Sequence, residues 1–434
     1  GATNVAVGAL ALDANTTAAN NVAVGASALT ANTTGASNIG IGASALVSNT
    51  TAANNIAIGV SALNTNTTGT RNIGIGTDAL YTNAGSDNVA VGYEALKLNT
   101  TGATNVAVGV GALDVNTTGA GNTAIGYQAL DACTTGGYNV AIGYGAFTAL
   151  TTPSYETAIG WNAGASLTTG DQFTAVGDAA GSSVTTSSGV TAIGSQALAS
   201  CGISGNTAVG ANAGDAVTTG DRQVAIGQHA LTACTSGVSN TIVGWYAGTL
   251  ITTGGNNICL GYGSNPSANN STHQMVMGTD VDGNANDSFC FGQGTTDSAI
   301  ANGATSITAP SDIRLKEDIQ DEVVGLDFIN ELRPVTFRWK KAKDVPSDLK
   351  VHSASEKRVM NGKYNHGFVA QEVKEVIDNN LDIKEGFDMW SEDDADGRQR
   401  IGEGALIPML VKSIQELSAE VEELKKKAHN KCEE

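Results

Sequence analysis

A repeat of 17 residues fills the first two-thirds of this chain and constrains its fold more than any other feature. The string Asn-Val-Ala-Val-Gly at residues 4–8 recurs at residues 21–25, and Asn-Ile-Gly-Ile-Gly follows at residues 38–42. The closing glycine falls at residues 8, 25, 42, 59, 76, 92, 109, 126, 143, 160, 177, 194, 210, 227, 244 and 261, with weaker copies at 278 and 292. Such self-similarity is typical of stacked repeat architectures.

Each unit predicts one short β-strand. A β-branched residue, a tiny residue and a second β-branched residue alternate with period two, and glycine then allows the chain to turn. A leucine four residues later, as at Leu29, Leu46 and Leu63, is predicted to be a second inward anchor. Stacked at about 4.8 Å per strand, 18 units would form a β-solenoid or β-roll shaft roughly 85 Å long.

The middle residue of each strand stays small. Alanine or glycine recurs there at Ala6, Ala23, Gly40, Ala57 and Gly74. A solvent-facing position would tolerate large polar residues, so this strand face is predicted to pack closely against another backbone. We therefore expect lateral association of chains in a homotrimer. The period alone leaves open whether the chains form three separate rolls or one interwoven triple helix.

The repeat also resembles known families. The unit Asn-Val-Ala-Val-Gly-Ala-Ser-Ala at residues 21–28 is similar to the head repeats of trimeric autotransporter adhesins. The unit at residues 122–130, Asn-Thr-Ala-Ile-Gly-Tyr-Gln-Ala-Leu, more closely resembles repeats of phage tail-fibre-like proteins. The resemblance covers residues 1 to about 294, and it implies trimeric β-rolls.

Charge and cysteine use exclude several classes of function. Residues 1–310 carry 15 acidic and 3 basic side chains, and the whole chain has a net charge of −19. No basic track is present for nucleic acid or anionic lipid, so neither nucleic acid nor a membrane is an expected partner. The six cysteines lack metal-site spacing. Cys133 and Cys234 replace the turn asparagine, while Cys259 and Cys290 replace the small strand residue, so we expect free, shielded thiols.

The composition changes abruptly after the repeats. Residues 295–310 form a polar, small-residue junction, after which Lys, Arg, Glu, Trp and Phe become common. We predict a shaft at 1–294, a linker and cleavage junction at 295–310, a small α+β domain at 311–404 and a C-terminal coiled-coil helix at 405–434.

Three strings in the second domain carry a specific resemblance. They are Ser-Asp-Ile-Arg-Leu-Lys-Glu-Asp-Ile at 311–319, Leu-Arg-Pro-Val-Thr-Phe-Arg-Trp at 332–339 and His-Gly-Phe-Val-Ala-Gln-Glu-Val at 366–373. In this order they resemble the intramolecular chaperone domain of phage endosialidases and tail spikes, the S74 peptidase family. The similarity covers residues 311 to about 427.

The resemblance implies a domain that trimerises the fibre and then removes itself. It assigns Ser311 as the nucleophile, Lys316 as the base and Pro310–Ser311 as the scissile bond. A serine hydroxyl needs such a base to become a strong nucleophile. Asp312, Arg314 and His366 are candidate supporting residues, and for His366 a purely structural role is the favoured interpretation. The expected activity is a single self-cleavage, with no external substrate, no metal and no cofactor.

The last predicted helix carries a pattern that would align associated chains. Apolar residues alternate spacings of three and four along it, which is a heptad seam. The seam consists of Ile407, Leu410, Ile414, Leu417, Val421 and Leu424. A coiled coil is the favoured interpretation, and the alternative is one amphipathic helix packed on its own domain.

Together these features predict a structural subunit of a phage tail fibre or spike, extracellular and part of the virion. We expect it to touch a host surface receptor, and to join other virion proteins through a region preceding Gly1. The alternatives are a bacterial surface trimeric adhesin, a fibre whose cap never cleaves, and a polysaccharide-cleaving shaft. For the last, Asp280, Asp282 and Asp287 are the candidate carboxylates, although they are equally interpretable as loop residues or a weak Ca²⁺ site.

Overall fold

In the computed structural model, each repeat contributes one strand to a parallel β-solenoid, and the predicted mainly β fold class is confirmed. The structure describes residues 2–294, 296–301, 316–347, 349, 351–360, 362–380, 383, 389–392 and 399–433. Strands β1 to β16 are Val5–Val7, Val22–Val24, Ile39–Ile41, Ile56–Ile58, Ile73–Ile75, Val89–Val91, Val106–Val108, Thr123–Ile125, Val140–Ile142, Thr157–Ile159, Thr174–Val176, Thr191–Ile193, Thr207–Val209, Val224–Ile226, Thr241–Val243 and Ile258–Leu260.

Each strand pairs in parallel with the next strand of the same chain. Ala23 lies opposite Gly40, and Gly40 lies opposite Ala57. The coils thus close within one chain, so the chain forms its own roll instead of contributing one strand in three to an interwoven helix. In two coils the closing glycines are 16 residues apart instead of 17. The strands keep their register there, because Ile73 pairs with Val89 and Thr191 pairs with Thr207.

The orientation of the strands corrects the prediction from sequence. From the second coil onwards the small middle residue points into the roll of its own chain, and Ala23 and Ala57 are completely buried. A Cβ added at Gly40 would lie 3.3 Å from Leu29 Cγ, so space inside the coil is tight there, and the larger Ile242 fits the same slot in a later coil where Gly248 lies beside it. The predicted contact of this face with another chain is therefore wrong. The β-branched residues on either side point outward instead.

Backbone conformation explains the remaining positions of the repeat. Gly59 closes its strand with φ +138°, and an added Cβ would lie 2.4 Å from the carbonyl oxygen of Gly76 in the next coil. The leucines predicted as inward anchors are buried, and Leu29 adopts φ +52°, a left-handed conformation that leucine rarely takes. Where leucine occupies this position, its burial compensates for that local strain.

A ladder of buried asparagines runs along the roll. The backbone N–H of Asn38 donates to Asn21 Oδ1 at 2.8 Å, and Asn38 Nδ2 donates to the carbonyl oxygen of Ala52 at 2.8 Å. Each asparagine side chain therefore satisfies a buried backbone N–H in one turn and a buried backbone carbonyl in another. The same contacts recur at Asn55, Asn72, Asn88, Asn105, Asn122 and Asn139.

The cysteines occupy the slots that the sequence predicts. Cys133 lies 3.5 Å from the carbonyl oxygen of Gly136, where Asn116 Nδ2 of the preceding coil donates to Gly119 at 3.0 Å. Five cysteines are free and buried: Cys133, Cys201, Cys234, Cys259 and Cys290. Burial raises the pKa of the Cys133 thiol to about 11, which keeps it in the unreactive thiol form.

The solenoid ends in a different arrangement. Strand β17, Met275–Thr279, continues the parallel sheet to β18, Ser288–Gln293. Strand β19, Thr296–Ala301, then returns antiparallel to β18. Part of the predicted junction 295–310 is thus a strand that pairs with the last rung. The chain divides into compact units at residue 310.

The second unit is a small α+β domain. Its elements are α1 Leu326–Glu331, β20 Val335–Phe337, a 3-10 turn Ala342–Asp344, β21 Asn365–Gly367, α2 Ala370–Asn379, β22 Trp390–Glu392, β23 Gln399–Ile401, a 3-10 turn Glu403–Ala405 and α3 Leu406–Glu433. Strands β20 with β21, and β22 with β23, form antiparallel pairs. A compact core joins the three helices: Val324, Phe328, Leu332, Val373, Met389, Leu406 and Met409.

Candidate assembly and self-processing site

Most of the predicted cleavage site falls outside the described residues. Pro310, Ser311, Asp312 and Arg314 all lie in that part of the chain. Lys316 is described, and its side chain is exposed at the start of the second unit. The roles assigned to Ser311 and Lys316 therefore stay predictions.

His366 is held by a cross-strand contact. It lies on β21 opposite Thr336 on β20, and its Nδ1 is 3.2 Å from Thr336 Oγ1. The ring lines a cavity of about 950 Å³, whose walls are largely apolar and include Phe337, Trp339 and Phe368. The hydrogen bond orients the ring and satisfies one nitrogen, which fits the structural role favoured for this residue.

Two contacts lock the helices of this unit together. Arg333, just after α1, forms a two-point ion pair with Glu372 on α2, with Nε 2.9 Å from Oε2. The guanidinium lowers the pKa of the Glu372 carboxyl. On the other side of α1, Glu416 Oε2 accepts a hydrogen bond from the backbone N–H of Leu326 at 2.8 Å. The second contact fixes the rotation of α3 about its own axis.

That rotation turns the predicted seam away from the domain. Helix α3 buries Leu406, Met409 and Ser413 against its own unit. The six seam residues named above lie on another face, and they are 42–63% exposed. The seam is therefore not the face with which the helix packs on its own domain.

The shaft carries a second exposed apolar feature that sequence reasoning missed. The outward residues of its strands form continuous columns, and side chains such as Ile41, Ile58 and Ile75 are 37–38% exposed. The available signal was the residue before each closing glycine, which is apolar in every coil. That signal was misassigned to the interior.

The carboxylates near the end of the solenoid are not gathered into one cluster. Burial raises the pKa of Asp282, and the neighbouring charge of Asp280 adds to this effect. Asp287 instead faces His273 at 3.7 Å. In the part of the chain that the structure describes, no group of three or more histidine, cysteine, aspartate or glutamate residues is placed to hold a metal ion. Within the same limits, none of the helices has the length and apolar character that crossing a bilayer requires.

Comparison with known proteins bears on the second unit. The family model described as chaperone of endosialidase, peptidase S74, matches residues 311–382. Searches of curated proteins and of solved structures returned no match. Chaperone-of-endosialidase domains are linked to trimer assembly, so the match supports self-association of this chain. A β-solenoid shaft followed by a chaperone-of-endosialidase domain of the S74 type is the organisation of a phage tail-fibre-like protein.

Proposed function

We propose that this chain is a subunit of a trimeric fibre whose C-terminal domain aligns three chains and then cuts itself off before Ser311. The observation that carries the assembly step is the α3 seam. One face of α3 is locked into its own domain through Glu416, while a heptad face remains exposed along the helix. A helix with one fixed face and one exposed heptad face is suited to joining copies of the domain at a defined angle.

The number of chains is argued from two sources. In isolation, Ile or Val at one heptad position with Leu at the other favours a two-stranded coiled coil. This pattern holds for Ile407 with Leu410 and for Ile414 with Leu417. The family match favours three chains, and the domain around α3 constrains the helices as well. The family therefore supports the trimer, while the seam itself supports only self-association.

The cleavage step uses ordinary acyl-transfer chemistry. The Ser311 hydroxyl oxygen attacks the Pro310 carbonyl carbon, and the Lys316 amine, as the base, takes the hydroxyl proton. The C–N bond breaks, the proton passes to the leaving Ser311 amine, and an ester joins Pro310 to Ser311 Oγ. Water then hydrolyses this ester to a Pro310 carboxylate and a free hydroxyl. The reaction happens once per chain and consumes one water.

The mature product would be the shaft. We expect it outside the cell, as a fibre or spike of a virion that meets a host surface receptor and attaches to other virion proteins. The acidic shaft, with 15 acidic and 3 basic residues in the first 310, does not favour nucleic acid as its partner. A bacterial surface adhesin remains the competing location, and a chaperone that stays attached is the competing fate of the second unit.

Mass spectrometry of the purified protein tests the cleavage step. Wild type is expected to yield a fragment beginning at Ser311, whereas Ser311→Ala and Lys316→Ala stay full length. Ser353→Ala and Lys363→Ala, which change an exposed serine and lysine elsewhere in the same unit, should cleave like wild type. If wild type remains intact after folding, the domain is a permanent trimerisation cap and the proteolytic assignment is wrong.

A further inference from the structure

Three exposed rings lie together near the C-terminal end of the shaft, and we call Trp245, Tyr246 and Tyr262 the ring cluster. They are 50%, 43% and 43% exposed. The centroid of the Trp245 ring lies 5.2 Å from that of Tyr246 and 5.3 Å from that of Tyr262, which belongs to the next coil. His229 of the preceding coil stacks on Tyr246 at 4.8 Å. The three rings thus form one supported patch on the surface of the solenoid.

The fold does not require rings at these positions. The equivalent residues of the second and third coils are Ala26, Ser27 and Ala43, and the strands there pair in the same parallel register. Aromatic side chains that stay half in contact with water gain only part of the burial that stabilises a fold. A ligand that covers the rings explains their presence at these positions, whereas strand formation does not.

A comparison within the shaft separates the ring cluster from a structural stack. Tyr127 and Tyr144 are also exposed, at 43% and 53%, but their rings are inclined by only 13° and their centroids lie 4.9 Å apart. Each of these two rings covers a face of the other. Trp245 is inclined at 55° to Tyr246 and at 53° to Tyr262, so these rings do not cover its faces in this way. An uncovered aromatic face carries partial negative charge and attracts polarised C–H groups.

Polar side chains border the ring cluster. Tyr262 is followed by Gly263, and a Cβ added at Gly263 would lie 2.3 Å from Asp280 Oδ1, so the Asp280 carboxylate stands where the glycine has no side chain. Gln228 occupies the position after the closing glycine in the coil before Trp245, and it is exposed. The rings are therefore flanked by a carboxylate that accepts hydrogen bonds and by an amide that donates and accepts them. A few polar groups beside an apolar patch fix the orientation of a ligand.

The charge of the shaft disfavours anionic ligands. Its three basic side chains are Arg71, Lys97 and Arg222, and each of them forms an ion pair with a neighbouring carboxylate. With 15 acidic residues in the first 310, the shaft repels phosphate, sulfate and carboxylate groups. A nucleic acid or an acidic sugar is therefore a poor partner for the ring cluster.

A neutral pyranose matches both parts of the patch. Its ring has a face of C–H groups that can stack on Trp245, and its hydroxyl groups can form hydrogen bonds with Asp280 and Gln228. We infer that the ring cluster binds a neutral polysaccharide through its pyranose rings. The inference rests on the proposed contact of the fibre with a host surface, and it names the chemistry of the receptor.

Affinity electrophoresis of the folded protein tests the site. Native gels contain dextran, galactomannan or hydroxyethylcellulose as neutral polymers, or polygalacturonate as an anionic polymer. Wild type is expected to be retarded by at least one neutral polymer and not by polygalacturonate. Trp245→Ala, with Tyr262→Ala as a second variant in case the first misfolds, should weaken that binding about tenfold, as expected when an aromatic anchor is truncated. Tyr144→Ala removes a ring of similar exposure from the parallel stack and should be retarded like wild type.

The inference is wrong if none of the neutral polymers retards wild type, if the two ring-cluster variants are retarded like wild type, or if polygalacturonate retards it most. Sedimentation of the same samples separates this test from that of the proposed function. An oligomer that no neutral polymer retards leaves the proposed fibre standing, whereas single chains that are retarded through Trp245 contradict the fibre and support the site. If Trp245→Ala dissociates the oligomer, the ring cluster is a contact between copies and the inference is wrong.

Discussion

Glu416 on α3 accepts a hydrogen bond from the backbone N–H of Leu326, the first residue of α1, at 2.8 Å. The contact satisfies one of the orphan donors at a helix N-terminus and places a carboxylate at the positive end of α1. Gly325 makes room for it, since a Cβ there would lie 2.3 Å from Glu416 Oε2. One long-range contact thus positions the helix that presents the seam.

Removing this carboxylate should loosen the second unit. Glu416→Ala is expected to lower the free energy of unfolding of that unit by about 1 kcal/mol, the usual effect of losing a helix cap. Glu420→Ala, an exposed glutamate one turn further along, is the matched control and should change it little. Thermal unfolding followed by circular dichroism measures both. Equal effects of the two substitutions would mean that Glu416 does not position α3.

Charge in the α3 seam should prevent assembly without unfolding the domain. Ile414 is 62% exposed in the single chain, so Ile414→Asp leaves the domain core intact but places a carboxylate between copies. We expect the protein concentration at which the oligomer dissociates to rise at least tenfold, as measured by sedimentation. Ser418→Asp adds the same charge on an exposed position outside the seam, and it should sediment like wild type.

The asparagine ladder should be sensitive to single substitutions. In Asn105→Ala, the backbone N–H of Asn122 loses its acceptor, while the carbonyl oxygen of Gly119 loses one of its two donors and keeps Asn116 Nδ2. Each unsatisfied buried group costs about 1–3 kcal/mol. The denaturation midpoint of the shaft should fall accordingly, whereas that of exposed Thr101→Ala should not.

Glu156 gives the shaft a defined pH dependence. Its side chain is fully buried, burial raises the pKa of its carboxyl, and its oxygens accept from the backbone N–H groups of Gln172 and Phe173. A group whose folded pKa is raised contributes stability below its unfolded pKa, and that contribution is lost as the pH rises through the folded value.

The comparison with Glu156→Gln isolates this effect, because the amide does not titrate. The unfolding free energy of wild type minus that of the variant should fall as the pH rises above about 4.3, the ordinary pKa of a glutamate. Chemical denaturation at fixed protein concentration on both sides of this pH measures the difference. A difference that rises with pH would show that the carboxylate is favoured in the folded shaft, contrary to the stated direction.

Much of the shaft could be predicted from the sequence, because the period of a repeat is visible in the sequence itself. The strands lie where the closing glycines predict them, and Leu46 is buried as predicted. The orientation of the strand could not be deduced in the same way. A small residue such as Ala57 fits a tight contact with another chain or a tight interior, and the width of the coil decides between them. That width depends on the left-handed conformation of residues such as Leu63, at φ +51°, which sequence rules assign to glycine or asparagine.

The second unit could be recognised from its sequence motifs, whereas its pattern of apolar residues predicted less of its structure. The heptad of α3 predicts an apolar seam, but the spacing alone does not say which helix face packs on the domain. The contact of Glu416 with Leu326 settles that, and nothing in the local sequence of α3 marks Glu416 apart from its neighbouring glutamates. Long-range hydrogen bonds of this kind become visible only in the fold.

Native mass spectrometry of the folded wild-type protein tests the central claim most directly. The account predicts an assembly with the mass of three shafts ending at Pro310, together with a separate fragment that begins at Ser311. A single uncut chain of 43.8 kDa as the main folded species would contradict both the assembly and the self-cleavage.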